Sequence, residues 1–457
     1  YMSSSSLGWE PVLKSWLSSR PRQFEPVLSK CFNSMGVPFL TFMRESMMPV
    51  MKIQDVDCIT SCLKLLESII PADDAGVQVS DAYLKKLFLY AFVWSIGGLV
   101  ELDDRRKLHN HLQKHCDIPL PSIMASSNET IFDFRVNSVG EWEHWSKSVP
   151  EWAYPADYSP DFSSIMVPTV DNVRMEYMLH ALVEHKFNIL LIGESGTAKS
   201  VTIQQYMNKM DPEVILGKAV NFSSATTPEL LQRTVEGLVD KRLGTTYGPP
   251  GNKRMLVFLD DVNMPRINEW GDQITNELLR QLVELSGFYN LERPGEWNTI
   301  ADMQYVGAMS HPGGGKNDLP GRLKRHFVVF NCTLPNDISI DHIFGGILHG
   351  YFCDERGFSA EVIGAARNVV PMVRKVWQQA KLKLLPTPAK FHYQFNLRDL
   401  SRIFQGVIRS PSSVIKTRTD LVQLIVHEMM RAIADRFTVP TDTDWFKEAI
   451  RKTFSEY

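Results

Sequence analysis

The chain has 457 residues, with 49 basic against 52 acidic side chains, a formal charge of −3, 44% hydrophobic residues and 22% charged ones. That balance excludes the hydrophobic-poor, highly charged composition of disorder, and it argues against a nucleic-acid binder working mainly through basic charge. The longest apolar run, Leu87 to Val100, is shorter than the roughly 18 residues a membrane span needs, so it reads as a buried helix and no membrane partner is expected.

In chain order, Tyr1 to Gly8 has neither the basic flank nor the apolar stretch of a signal peptide, and an opening on Tyr1 rather than Met reads as a piece of a longer chain. Residues 9 to about 115 carry 3.6-residue periodicities, such as Phe39-Phe42-Met43-Met47 and Ile59-Leu63-Leu66-Ile69, and predict a helical subdomain over 1–128. Cysteines 31, 58, 62, 116, 332 and 353 are too few and too scattered for a disulfide scaffold or a zinc site, which predicts a reducing compartment. Cys58 and Cys62 lie four apart on a predicted helix, but no further His or Cys pair completes them as metal ligands. Residues 129–166 are rich in Trp, Pro and Ser (Trp142, Trp145, Pro150, Trp152, Pro155, Pro160), with a strand-like run at Ile131 to Val136, and predict an ordered linker.

From Val167 the texture changes. Short apolar runs at Asn188-Ile192, Ala219-Phe222, Met255-Leu259, Gln304-Met309 and Phe327-Phe330 alternate with helical stretches, which predicts an α/β subdomain over 167–335 with a parallel, doubly wound sheet. Residues 336–457 read as helical again, with helices near 338–352, 360–384, 397–408, 420–437 and 444–454.

The sharpest local signal is Gly193-Glu194-Ser195-Gly196-Thr197-Ala198-Lys199-Ser200, between an apolar strand and a helical run that includes Val201. Backbone N–H groups of a tight loop and a helix start can cradle phosphates while a Lys reaches their outer oxygens and a Ser hydroxyl ligates magnesium. The strict pattern has Gly where Ala198 stands, and an ordinary strand-turn-helix connection shares the same elements. Met255 to Leu259 then runs into Asp260-Asp261, placing two carboxylates at a predicted strand end, one to organise magnesium and one to polarise an attacking water. Asp261 is one methylene shorter than the Glu usual at the second position, so slow or absent hydrolysis stays open beside nucleotide binding. Gly313-Gly314-Gly315 reads as a flexible loop, since no helix-start Lys-Ser follows it.

These elements resemble an AAA+ ATPase module with a P-loop NTPase core and a helical lid. More narrowly, FSSATTPELLQRTVE, LDDVNMPRINEWGDQITNELLRQLVE, SHPGGGKNDLPGRLKRHF, YQFNLRDLSRIFQG and HEMMRAIADRF resemble a dynein heavy chain, most like an axonemal one, through most of residues 167 to 440. The N-terminal LGWEPVLKSWL and FVWSIGG stretches resemble the helical small subdomain that closes a preceding module. The resemblance implies the small subdomain of the second ring module followed by the whole third module.

It also implies residue roles. Val167, Pro168, Thr169 and Val170 match the segment that lies against adenine, although a Pro-started entry to the domain looks the same. Ser310 falls where a polar sensor contacts the terminal phosphate, a position at which many relatives carry Asn. Arg398, opening a helix after the N-cap Asn396, matches the second sensor on the lid, and a solvated helix-start arginine is the plain alternative. Arg325 matches an arginine finger acting in trans on the neighbouring module's site, with Arg322 as the alternative finger.

The implied ligands are ATP or ADP with Mg2+. Implied partners are neighbouring AAA+ modules of the same heavy chain, dynein complex subunits, and microtubules only indirectly, in a cytoskeletal, ciliary or flagellar setting. The implied role is gating of microtubule-based motility by a module that binds, and slowly hydrolyses, ATP. A structural AAA+ scaffold module without nucleotide exchange is the rival reading.

Overall fold

A computed structural model describes residues 8–71, 79–124, 128–155, 162, 165–313 and 315–455. Tyr1 to Leu7, Pro160 and Gly314 lie outside the described residues. By their contacts the residues divide into two units. One comprises Tyr1–Lys147, Arg174–Glu194 and Ala198–Thr333, the other Ser148–Val173, Ser195–Thr197 and Leu334–Tyr457. Among the described residues no helix is long and apolar enough to cross a membrane.

The first unit opens with helices α1 (Glu10–Ser18), α2 (Phe24–Ser46), α3 (Asp55–Ile69), α4 (Asp81–Gly97) and α5 (Leu102–His115). Helix α4 starts where the Ser80 hydroxyl accepts the Tyr83 N–H at 3.2 Å. It is apolar on every side, and a helix of that kind needs neighbours all round. Each residue from Leu87 to Val100 is buried, as the apolar run predicts. Phe88 lies edge-on to Phe32 of α2 at 4.8 Å, and Trp94 lies edge-on to Phe132 at 5.1 Å.

The Ile131 to Val136 run behaves differently from its strand-like reading. Thr130 and Asp133 form a reciprocal capping box around a 3-10 turn at Ile131–Asp133, and only β1 (Phe134–Val136) is extended, paired antiparallel with β2 (Trp142–His144).

Helix α6 (Val170–Glu184) leads to β3 (Asn188–Ile192), α7 (Lys199–Lys209), β4 (Ile215–Asn221), α8 (Pro228–Glu236), β5 (Asp240–Leu243), β6 (Thr246–Gly248) and β7 (Arg254–Asp260). Then come α9 (Ile274–Leu285), β8 (Gly287–Tyr289), β9 (Trp297–Ile300), β10 (Met303–Met309), the short α10 (Gly321–Lys324) and β11 (Phe327–Asn331). Five of these strands form one sheet in the order β11-β3-β10-β7-β4, every neighbour parallel, which is the parallel α/β core expected from alternating strands and helices. Its three inner strands carry continuous apolar runs because both faces are covered. Edge strand β4 begins four residues before the Ala219-Phe222 run, and its exposed Gly217, Lys218 and Ala219 leave no apolar signal to read.

A second sheet, β5-β6-β9-β8, went unpredicted. Its strands have three or four residues, and β5 reads Asp-Lys-Arg-Leu. Pairing defines them instead. Gly244 takes φ +59° between β5 and β6, and Tyr289 meets Trp297 across the antiparallel β8/β9 pair with ring centres 4.9 Å apart.

The opposite edge of the main sheet is covered by the helical block of the same unit. Along β11, Phe330 meets Trp94 edge-on at 6.1 Å, the Asn331 N–H donates to Gly98 O at 2.6 Å, and Arg105 Nη2 donates to Asn331 O at 2.8 Å. A covered edge cannot template pairing with another chain.

In the second unit, α11 (Asp337–Tyr351), α12 (Ala360–Lys383), α13 (Leu397–Val407), α14 (Arg418–Ala432) and α15 (Pro440–Ser455) close on one apolar core, with Phe344 stacked on Phe404 at 4.7 Å. Helix α14 stops at Ala432, short of the 420–437 reading, because a 3-10 turn at Ala434–Arg436 takes over, and α15 starts earlier than read, with Pro440 at its first position. Trp152 and Tyr154 pack against this core. They lie where side chains at Gly346 and Gly350 would otherwise project.

Candidate functional site

Strand register sets the site. Met309 is level with Ile192 across β10/β3, and Ala308 is level with Asp260 across β10/β7, so three strands end side by side. The Gly193 N–H extends the pairing by donating to Met309 O at 3.2 Å. Glu194 and Ser195 are exposed, Thr197 is buried, Gly196 takes φ +92°, and Ala198 takes φ +60° immediately before α7. Both angles are left-handed, the region that favours glycine, so Ala198 adopts the backbone the strict pattern assigns to Gly while keeping its methyl group. Val201, next along the first turn, is 46% exposed.

Lys199 is buried, and its Nζ donates to Gly193 O at 2.9 Å and Glu194 O at 2.8 Å, tying the helix start back across the loop. Burial lowers its proton affinity. Cys332 raises it, the nearby Lys316 ammonium lowers it, and Asp260 and Asp261 raise it. Ser200 Oγ donates to Asp260 Oδ2 at 2.8 Å, and Asp260 Oδ1 accepts the Asp261 N–H at 3.1 Å. Asp261 is exposed and turns at φ +55°, a conformation Asp tolerates.

Ser310, the first residue past β10, is buried. The Lys316 ammonium donates to its hydroxyl, and Asn263 Nδ2 donates to its carbonyl at 3.0 Å. Neither Lys316 nor Asn263 stood out in the sequence. Lys316 follows the glycine triplet in a turn where Gly313 and Lys316 exchange backbone hydrogen bonds at 2.9 and 3.1 Å, and Gly313 and Gly315 take φ +119° and +87°.

One unit thus brings together Gly193, Lys199, Ser200, Asp260, Asp261 and Ser310. Backbone donors at the start of an eleven-residue helix, an ammonium, and a hydroxyl-carboxylate pair form a donor set that fits a polyphosphate with a divalent cation.

Arg325 stands apart from this set within the same unit. Phe327 of β11 is level with Asn188, so Arg325 stands at the end of the sheet opposite the loop, about 13 Å of strand away. It is exposed and pairs with Glu284 at 2.6 Å, while Arg322 on α10 is also exposed. Glu284, a further residue sequence reading missed, also pairs with Arg280. In the second unit Arg398 is exposed at the start of α13, its backbone N–H donating to Asn396 Oδ1 at 2.9 Å within the Asn396/Asp399 capping box. There too, Val167 is buried in the helical core, Pro168 is half-buried, and Thr169 Oγ1 accepts the Asn172 N–H at 3.3 Å.

Comparisons with known proteins place the chain in a family. Residues 154–335 match the family model for the P-loop containing dynein motor region, 28–147 that for the dynein heavy chain AAA lid domain, and 369–456 that for the AAA+ lid domain. The chain is 48% identical over 452 residues to mouse (Mus musculus) dynein axonemal heavy chain 5, covering 98% of this chain and 10% of that one. It is 47% identical over 457 residues to mouse dynein axonemal heavy chain 8, covering 100% of this chain and 10% of that one. With the flagellar outer arm dynein gamma chain of Chlamydomonas reinhardtii the identity is 39% over 469 residues, covering 98% and 10%. The chain therefore spans about a tenth of the length of these relatives.

Proposed function

We propose a function that proceeds from one premise: this chain belongs to the dynein heavy-chain family of AAA+ proteins. It is a nucleotide-binding module of an axonemal dynein ring that gates microtubule-based ciliary or flagellar motility, together with the small subdomain of the module before it. The observation that carries the reading is the Ser200 to Asp260 hydrogen bond of 2.8 Å beside the buried Lys199, a hydroxyl-carboxylate pair set next to an ammonium at a helix start.

ATP or ADP is the ligand. Its magnesium ion supplies charge neutralisation at the phosphate oxygens. Gly193 to Lys199 hold the phosphates with backbone donors and the Lys199 ammonium, while Ser200 and Asp260 hold the ion. Asp261 orients water, Ser310 accompanies the terminal phosphate, Val167 to Thr169 border the base, and Arg398 reports nucleotide state to the lid. Arg325 acts in trans on the neighbouring module, and its partners are the adjoining modules, the dynein complex and, through the rest of the motor, microtubules.

Two observations favour a second reading, a scaffold module that does not exchange nucleotide: the left-handed Ala198 and the short Asp261 in place of the usual Glu. Calorimetric titration of Mg-ATP and Mg-ADP into the nucleotide-stripped chain separates the two. Reversible binding lost in Lys199→Ala supports the gating module, and no binding by folded, empty wild type supports the scaffold.

A further inference from the structure

We propose that Lys316 is a second cationic ligand for the terminal phosphate, the residue that makes this site distinguish a nucleoside triphosphate from a diphosphate; this rests on the nucleotide-binding reading above. Ser310 follows Met309, whose carbonyl accepts the N–H of Gly193, so anything fixed on the Ser310 side chain stands beside the first residue of the phosphate loop. The Lys316 ammonium is fixed there, on Ser310 Oγ.

The stem that carries it is anchored. Gly313 and Lys316 close a backbone-paired turn, the Asn317 N–H donates to Asn263 O at 3.2 Å, and Asn317 Nδ2 donates to Pro265 O at 2.7 Å. The last two bonds tie the stem to the segment that follows Asp260-Asp261.

Charge gives the arrangement a purpose. The Lys316 ammonium acts on Lys199 electrostatically, as do the Asp260 and Asp261 carboxylates, and an anion bound beside both ammonium groups would ease the repulsion between them. A neutral amide would satisfy the Ser310 hydroxyl equally well, so the hydroxyl alone does not explain a cation. Serine is a short side chain with a single hydroxyl, whereas a long, flexible lysine extends further and acts as a point charge on an anion. The group that distinguishes ATP from ADP is the outermost phosphate, the one a donor standing outside the loop on the neighbouring strand would meet.

The test is calorimetry on the nucleotide-stripped 457-residue chain, with the β,γ-imido analogue of Mg-ATP and with Mg-ADP, for wild type, Lys316→Met, Lys316→Gln and Lys316→Arg, folding being checked by circular dichroism. Lys316→Met and Lys316→Gln are expected to weaken the triphosphate analogue by roughly 10- to 100-fold and Mg-ADP by less than about threefold, while Lys316→Arg stays within about fivefold of wild type for both. Lys316→Gln keeps a donor for Ser310 and removes only the charge, so the proposal stays testable if Lys316→Met fails to fold. Equal weakening of both nucleotides, or no weakening, overturns the Lys316 assignment while leaving the nucleotide site standing. Failure of folded wild type to bind either nucleotide overturns both.

Discussion

Ser200 Oγ donates to Asp260 Oδ2 across 2.8 Å, joining the first turn of α7 to the end of a strand two places away in the sheet. If the pair holds the magnesium ion proposed above, its removal should matter only when the ion is present. Asp260→Asn and Ser200→Ala are each expected to weaken Mg-ATP by roughly 10- to 100-fold, the scale of losing one charge-assisted contact, and to leave binding in EDTA unchanged. Titrations with and without magnesium decide. An equal loss in EDTA would show that the pair shapes the loop instead.

Ala198 and Gly196 make a pair of opposite sign. A left-handed residue other than Gly is strained by roughly 1–2 kcal/mol, and glycine's freer unfolded chain offsets roughly 0.5–1 kcal/mol of any relief. Ala198→Gly is therefore expected to stabilise the chain by up to about 1 kcal/mol. Gly196→Ala, at φ +92°, introduces that strain with the same offset and is expected to destabilise it by up to about 1 kcal/mol. Urea unfolding of the two variants beside wild type checks both signs, and a destabilised Ala198→Gly would mean that the methyl makes a packing contact worth more than the strain.

Much of this was legible from the sequence because the signals are local. The inner strands announce themselves as apolar runs between turn residues, and the loop Gly193 to Ser200 and the carboxylates at Asp260-Asp261 are contiguous motifs whose strand and helix context the fold confirms. What escaped depends on pairing at a distance. Strands β5, β6, β8 and β9 have too few residues and too mixed a composition to carry a period. Lys316 is six residues from Ser310, beyond the glycine turn that reverses the chain, and Asn263 reaches the Ser310 carbonyl from the segment after β7. No spacing rule marks either as a neighbour of the loop. Glu284, likewise, becomes interesting only once the fold sets it beside Arg325.

That Glu284 cluster predicts a pH dependence. Burial pushes the Glu284 carboxyl up, but Arg280, Arg325 and His326 together hold it below the ordinary value of 4.5. A depressed folded-state value means stabilisation that is complete above the unfolded value and lost as pH falls through the folded one. Glu284→Gln should thus destabilise by about 1 kcal/mol at pH 7, a modest figure because the side chain is partly exposed, and the gap should narrow as pH falls below the ordinary value of 4.5. Urea midpoints at pH 7, 5 and 3.5 test this. A gap that holds constant to pH 3.5 excludes the carboxylate as its source.

Arg325 stands at the far end of the sheet from this chain's own phosphate loop, which gives a sharp contrast between two readouts. Arg325→Ala should leave Mg-ATP binding to this chain within about threefold of wild type, since the residue is absent from that site. In a heavy chain that includes the preceding module, the same substitution should slow hydrolysis at the neighbouring site by roughly a thousandfold, the low end for loss of an arginine finger. If Arg322→Ala produces that loss and Arg325→Ala does not, the finger is Arg322.

The buried arginine between the helical block and the sheet gives the last test. Arg105 is 2% exposed, donates from Nε to Gly97 O at 3.2 Å and from Nη2 to Asn331 O at 2.8 Å, and lies over the rings of Trp94 and Phe132 at 5.3 and 5.1 Å. Leucine at this position leaves two buried carbonyls without these donors, which predicts a loss of roughly 2–4 kcal/mol for Arg105→Leu. Arg105→Lys should recover less than half of it, because a single ammonium cannot reproduce the planar fork that reaches both carbonyls and stacks on both rings. Urea unfolding of the two variants measures this. Near-complete recovery by lysine would mean that the positive charge, and not the fork, holds the helical block to the sheet edge.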